Sequence, residues 1–121
     1  MGSDIPKEEK GRIVGTLGFM SCRAHEGKPQ VPGDDIESMI YTILYLAEGT
    51  LPWLKIKVHS PPDFHKIFLM KKGLTKKIFK NQNIPTELFE VLATVQNSKA
   101  SEKVDYLKIK YKLLDALQKR N

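Results

Sequence analysis

Asp34-Asp35-Ile36-Glu37-Ser38-Met39-Ile40-Tyr41-Thr42-Ile43-Leu44-Tyr45-Leu46-Ala47-Glu48-Gly49 is the stretch that decides the fold. Two aspartates open it, where an N-cap oxygen and a negative charge at the positive end of the helix dipole both stabilise. Gly49 is a natural C-terminal stop. With residues placed at about 100° intervals, Ile36, Ile40, Ile43, Leu44 and Ala47 cover one side, Met39 and Leu46 extend it, and Tyr41 and Tyr45 lie nearly opposite. A helix apolar almost all round is normally buried all round. A chain of 121 residues builds one modest core and seldom surrounds a helix completely. Part of this helix's packing environment is therefore expected to lie outside the chain.

Working outward, Leu51-Pro52-Trp53 ends the unit with a rigid bend and a large apolar anchor. Ser60-Pro61-Pro62-Asp63 reads as a helix start, with serine as N-cap, proline at the first helical position and an acid in the first turn. That helix carries Phe64, Ile67, Phe68 and Leu69 before Gly73 stops it, and residues 74–83 are basic and loop-like. A further helix begins near Pro85-Thr86-Glu87 with Leu88, Val91, Leu92 and Val95 at helical spacing, and Asn97 to Lys99 turns the chain. The last helix, 102–119, repeats Leu107, Tyr111 and Leu114 beside Tyr106, Leu113 and Leu117. On the other side of the decisive stretch, residues 1–14 are polar and without regular structure, and 15–34 read as loop with one short helical turn. No alternating apolar run of strand length occurs, so the expectation is a mainly α chain of about four helices after an irregular N-terminus.

Composition narrows the function classes. At 40% apolar and 28% charged the chain is that of an ordinary globular protein. It has no run of eighteen apolar residues, so no membrane span is expected. Met1-Gly2-Ser3-Asp4-Ile5-Pro6 lacks the basic head and apolar stretch of a secretory signal. One cysteine, Cys22, has no partner for an internal disulfide, which fits an intracellular location, cytoplasmic or nuclear. Residues 1–53 hold five Lys/Arg against eight Asp/Glu, and residues 54–121 hold fifteen against six, so the net +6 sits in the second half. A basic half can favour nucleic acid, here through Lys71, Lys72, Lys76, Lys77 and Lys80. Helices solvated by lysine account for it better, because lysine commonly keeps a helix face soluble.

Chemistry-bearing constellations are thin. Cys22 and His25 have the spacing of two zinc ligands, with His59 and His65 further on, but a closed zinc site needs four ligands and usually two cysteines. A catalytic Cys22 needs a histidine within hydrogen-bond reach and a lowered pKa. Asp34 and Asp35 are adjacent on a helix and point about 100° apart, which suits capping and not an acid/base pair. Gly15 and Gly18 are separated by Thr-Leu, and no glycine-rich phosphate loop follows a strand. These residues offer no complete active site, metal or cofactor position.

Four segments do carry a resemblance. Gly15-Thr16-Leu17-Gly18-Phe19-Met20-Ser21, then Ala24-His25-Glu26-Gly27, then Asp34-Asp35-Ile36-Glu37-Ser38, then Gly49-Thr50-Leu51-Pro52-Trp53 resemble casein kinase I and its vaccinia-related and tau-tubulin relatives, in order and at about the family spacing. Beyond Trp53 the likeness is looser, resting on Pro85-Thr86-Glu87 and Asp105-Tyr106. The resemblance implies the helical C-terminal lobe of a protein kinase, with 1–14 a flexible activation-segment remnant and 15–121 a partial lobe. It implies that Gly15 and Thr16 end the activation segment, that Phe19, Met20 and Ser21 wall the substrate pocket, and that Asp35 opens the central helix and braces the catalytic loop.

What such a kinase needs in addition is a glycine-rich loop over ATP, a strand lysine, an H-R-D-type aspartate and a D-F-G aspartate for magnesium. None occurs in these residues. The implied function is therefore a partial Ser/Thr kinase domain, inactive alone, whose partners are a protein substrate or partner protein and a missing N-lobe, and whose family uses ATP and Mg. Alternatives are a degenerate kinase-derived binding or scaffold module and a small basic nucleic-acid-binding protein. The casein kinase I pattern has an arginine in place of Gly18 and an Arg-Arg pair in place of Pro32-Gly33. Such arginines favour phosphate or acidic groups, so their absence points away from acidic or prephosphorylated substrates.

Overall fold

The structure, a computed structural model, describes residues 17–97 and 105–118, apart from the side chain of Leu117. Gly15, Thr16, residues 1–14, the 98–104 connection and the Leu117 side chain lie outside the described residues. The described residues form helices and turns and no strand. The helices are α1 (Cys22–His25), α2 (Pro32–Glu48), α3 (Pro61–Lys72), α4 (Thr86–Asn97) and α5 (Tyr106–Gln118), with 3-10 turns at Pro52–Lys55 and Lys76–Ile78. The four long helices match the expected number, and the stretch before them holds the short α1 and a helical turn over 17–19.

Helix α2 starts two residues earlier than the aspartates indicated. Val31 is the N-cap residue in extended backbone, and Pro32 takes the first helical position, where its missing N–H costs nothing. Asp34 sits in the first turn and reaches back, its carboxylate accepting the Val31 N–H at 2.7 Å. Gly49 closes the helix at φ 88°, donating to the Tyr45 carbonyl at 2.7 Å. That left-handed conformation favours glycine.

The buried face of α2 is rolled relative to the expected one. Ile36, Ile40 and Leu44 are fully buried, but so are Glu37 and Tyr41, while Ala47 is exposed. Tyr41 was expected opposite the core. It turns inward because its ring packs edge-on against Trp53, with centroids 5.2 Å apart, and its hydroxyl donates to the buried Glu37 carboxylate. Met39, Tyr45 and Leu46 remain exposed on the other side.

At the start of α3, Ser60 occupies the N-cap position without capping a backbone N–H. Its hydroxyl donates to Asp63 at 3.2 Å, and the same Asp63 oxygen accepts the His59 N–H at 3.0 Å. The loop after α3 is tied to the end of α2: the Glu48 carboxylate accepts the N–H groups of Lys80 and Asn81 at 2.8 and 2.9 Å. Helix α4 packs against both α2 and α5, burying Leu88, Val91, Leu92 and Val95 as its spacing predicted.

The stripe expected on the last helix is on the wrong side. Leu107, Tyr111 and Leu114 are 62%, 64% and 51% exposed, whereas Leu113 and Ala116 are buried and Tyr106 and Ile109 pack on the core. Gly33 sets this roll: a Cβ there would stand 3.0 Å from the Tyr106 ring, so the glycine is the seat on which Tyr106 docks.

Candidate functional site

The segment Leu17–His25, which carries the pocket-wall residues named from the sequence, lies over α2 and the C-terminal end of α3. Three attachments hold its backbone. Trp53, buried beyond the Leu-Pro bend, donates its indole N–H to the Gly18 carbonyl at 2.7 Å. The Cys22 N–H donates to Glu37 at 3.0 Å. The Lys71 ammonium, entering from the last turn of α3, donates to the carbonyls of Leu17 at 2.8 Å and Met20 at 2.7 Å.

Lys71 is 0% exposed. Its third partner is His25 Nε2 at 3.0 Å, and Nζ also lies 5.3 and 5.6 Å from the ring centroids of Tyr41 and Trp53. Three acceptors match the three N–H donors of an ammonium, and aromatic faces favour a desolvated cation. Burial still lowers the Lys71 pKa to about 8, against the opposing pull of Cys22 and Glu37. The amine is thus protonated at neutral pH. The other half of the cluster surrounds Glu37. Its carboxylate accepts from the Tyr41 hydroxyl, and Gln96 of α4 donates to the Tyr41 oxygen and the Lys71 carbonyl, both at 3.0 Å. Five elements meet here, and the segment 17–25 is the part they clamp.

Each group's protonation follows from burial. The Cys22 thiol is pushed up to about 12 by burial and then by Glu37, which removes the thiolate that nucleophilic chemistry needs. Tyr41 is raised for the same reasons. His25 is lowered to about 4, first by burial and then by Lys71. Its Nε2 accepts from Lys71, so the proton of the neutral ring sits on Nδ1, a buried atom without a partner. The zinc spacing of Cys22 and His25 is spent otherwise: Cys22 Sγ lies 3.9 Å from the Tyr41 hydroxyl, and His25 faces Lys71 and packs at a tilt against Phe64 with centroids 4.6 Å apart. Among the described residues no three His, Cys, Asp or Glu side chains converge to hold a metal ion.

The residues named from the sequence divide clearly. Phe19 is half-buried, edge-on to Tyr45 at 5.7 Å, and Met20 is half-buried beside it. Ser21 is buried as the N-cap of α1, its hydroxyl accepting the Ala24 N–H at 3.1 Å. Asp35 is exposed and accepts from Gln30 at 3.2 Å; the buried neighbour is Asp34, 3.9 Å from Arg23. Sequence reasoning missed Glu37, Lys71 and Gln96. Glu37 was detectable as an acid on the face that Tyr41 shares. Lys71 looked like any solvated lysine, and its burial removes it from the basic set that would meet nucleic acid.

Comparison with known proteins gives the kinship of the chain. Over 113 residues, 93% of the chain, it is 32% identical to casein kinase I homolog 2 of Saccharomyces cerevisiae. The chain belongs to the casein kinase I superfamily. It is also 28% identical over 102 residues to casein kinase I homolog 2 of Schizosaccharomyces pombe, and 27% identical over 111 residues to the serine/threonine-protein kinase spe-6 of Caenorhabditis elegans. It spans only 21%, 23% and 29% of those relatives, so it corresponds to a fragment of a casein kinase I-type protein. Its all-helical described fold is that of the kinase C-terminal lobe. No family model matches, and no solved structure matches. Among the described residues no helix is long and apolar enough to cross a membrane.

Proposed function

We propose that this chain supplies the substrate-pocket end of the activation segment and the helical floor beneath it to a casein kinase I-type Ser/Thr kinase domain, and that it transfers no phosphoryl group by itself. The observation that carries the reading is the clamp on Leu17–His25. Besides the side chains it buries, the segment is fixed at four backbone points by Trp53, Glu37 and Lys71. Holding a substrate residue needs a backbone of fixed geometry, since positioning and electrostatic stabilisation supply nearly all of phosphoryl-transfer catalysis. Phe19 and Met20 would wall the pocket, with Gly15 and Thr16 preceding them, and Asp35, exposed and bonded to Gln30, would meet a catalytic loop.

ATP and Mg do not fit the residues present. The sequence has no glycine-rich loop, and among the described residues no acidic cluster is placed for a metal. Nucleotide and metal would belong to the missing N-lobe and catalytic loop. The exposed apolar side chains Met39, Tyr45 and Leu46 on the outer side of this core helix support that partner, because an exposed apolar patch marks an interaction surface.

The test combines the chain with the upstream part of a casein kinase I relative, made without its own C-terminal lobe. The pair should bind and phosphorylate a Ser/Thr peptide, and the chain alone with ATP and Mg should stay at background. Turnover by the chain alone, or no binding, rejects the proposal. A second reading, a degenerate binding module, is favoured by one observation. A Cβ on Gly18 would lie 2.8 Å from Leu54 Cδ2, and one on Gly33 would press on Tyr106, so apolar packing occupies both places where the family pattern has arginine. A clean monomer with a sharp cooperative melt would favour that module.

A further inference from the structure

A lysine at 0% exposure is an expensive core residue, because burying an ammonium costs several kcal/mol before its contacts offset it. Methionine would fill the same volume without that cost, but it would leave the Leu17 and Met20 carbonyls without their donor. Volume alone therefore does not explain Lys71. Its partners do. Two of the three are main-chain carbonyls three residues apart, Leu17 and Met20, and the third is the side chain that ends α1, His25. Each bond reaches at least forty-six positions back along the sequence, from the last turn of α3 to the segment before α2. A point charge with three rotatable donors can fix two carbonyls and one imidazole at once, which no apolar residue can do.

We infer that Lys71 is a positioning residue for the pocket segment: its ammonium fixes the backbone of Leu17–Met20 and the tautomer of His25, and so sets where Phe19 and Met20 stand. The inference deepens the kinase reading, on which the word pocket rests, while the latch itself is a property of this chain alone. His25 has a defined part in it. Accepting on Nε2 forces its proton onto Nδ1, which is left buried and unpaired. An unpaired buried donor is costly, so this tautomer persists only because Lys71 imposes it. The ring in turn sits between Lys71 and Phe64, 4.6 Å between ring centroids, tying α1 to α3. Without the ammonium, the backbone of Leu17–Met20 keeps one of its three side-chain attachments, the Trp53 bond to Gly18.

The experiment uses the whole chain with and without Lys71→Met, and reads amide hydrogen exchange and the 15N signals of His25. Exchange in Gly18–His25 should accelerate at least tenfold in the variant, while α4 changes by less than twofold. In the wild type, His25 should be the neutral Nδ1–H tautomer at neutral pH, and the variant should lose that preference. Unchanged exchange in Gly18–His25, or a wild-type His25 protonated on Nε2, overturns the inference. If Lys71→Met fails to fold, the wild-type tautomer decides alone. Neither readout involves phosphoryl transfer, so an inactive reconstituted domain and an absent latch are separate results.

Discussion

Lowering the pH from 6.5 to 4.5 should strip stability from this fold through one side chain, His25. Burial first and the Lys71 charge second hold its pKa down at about 4, against an ordinary 6.5. The unfolded chain takes up a proton near pH 6.5 and the folded chain only near 4, so between those values the unfolded state binds more protons. Stability is then fully present above pH 6.5 and is lost as pH falls towards 4. The gap between 6.5 and about 4 would correspond to about 3.4 kcal/mol at 1.36 kcal/mol per pH unit. The ring is only half-buried, and solvent screening reduces this to about 1–2 kcal/mol. For a small domain with a urea slope of about 1.5 kcal/mol per molar, the denaturation midpoint falls by about 1 M. Glu48 and Asp63, both lowered by backbone N–H bonds, from Lys80 and Asn81 and from His59, begin to lose their contribution only near their ordinary values of 4.5 and 3.8, at or below the lower edge of this window, and do so equally with or without His25. The assay is urea unfolding at pH 6.5 and 4.5 for the wild type and for His25→Gln. The wild type should lose stability over this range and the variant should show little slope. Equal slopes in the two proteins, or a His25 that titrates at its ordinary value by NMR, refute the reasoning.

Three further outcomes test the packing. Leu113→Ala should cost about 2–5 kcal/mol and Leu114→Ala no more than about 0.5, because Leu113 is 0% exposed and Leu114 51%; comparable losses in chemical melts would restore the roll expected from the sequence. Gly18→Ala should cost no more than about 1 kcal/mol, because the added Cβ, 2.8 Å from Leu54 Cδ2, meets the movable end of a half-buried side chain that must change rotamer. Adding Leu54→Ala should then cost less than it does alone, and additive losses would show that the two sites do not touch. Leu46→Lys, at 75% exposure, should leave the melting midpoint nearly unchanged but reduce self-association and dye binding; unchanged association in sedimentation experiments would place the sticky surface elsewhere.

The helices were legible because each carried its own punctuation. Pro61, Gly73, Pro85 and Gly49 mark starts and stops by backbone chemistry that acts within one turn, and α4 presents one unbroken apolar spacing. Legibility failed where two faces of one helix were both apolar. Leu107, Tyr111 and Leu114 make as good a stripe as Tyr106, Ile109 and Leu113, and only packing on α4 and α2, with the seat at Gly33, selects between them. The same holds for Tyr41, whose inward turn depends on Trp53 and Glu37.

By itself, then, the sequence determined a mainly helical chain, its motif order, its kinship and the strangeness of a helix too apolar for so small a core, since these depend on local spacing and residue type. Tertiary structure alone decided which face of each apolar helix turned inward and which lysine was not a surface lysine. Lys71 and its acceptors are at least forty-six positions apart, and no local pattern records a hydrogen bond closed over that distance.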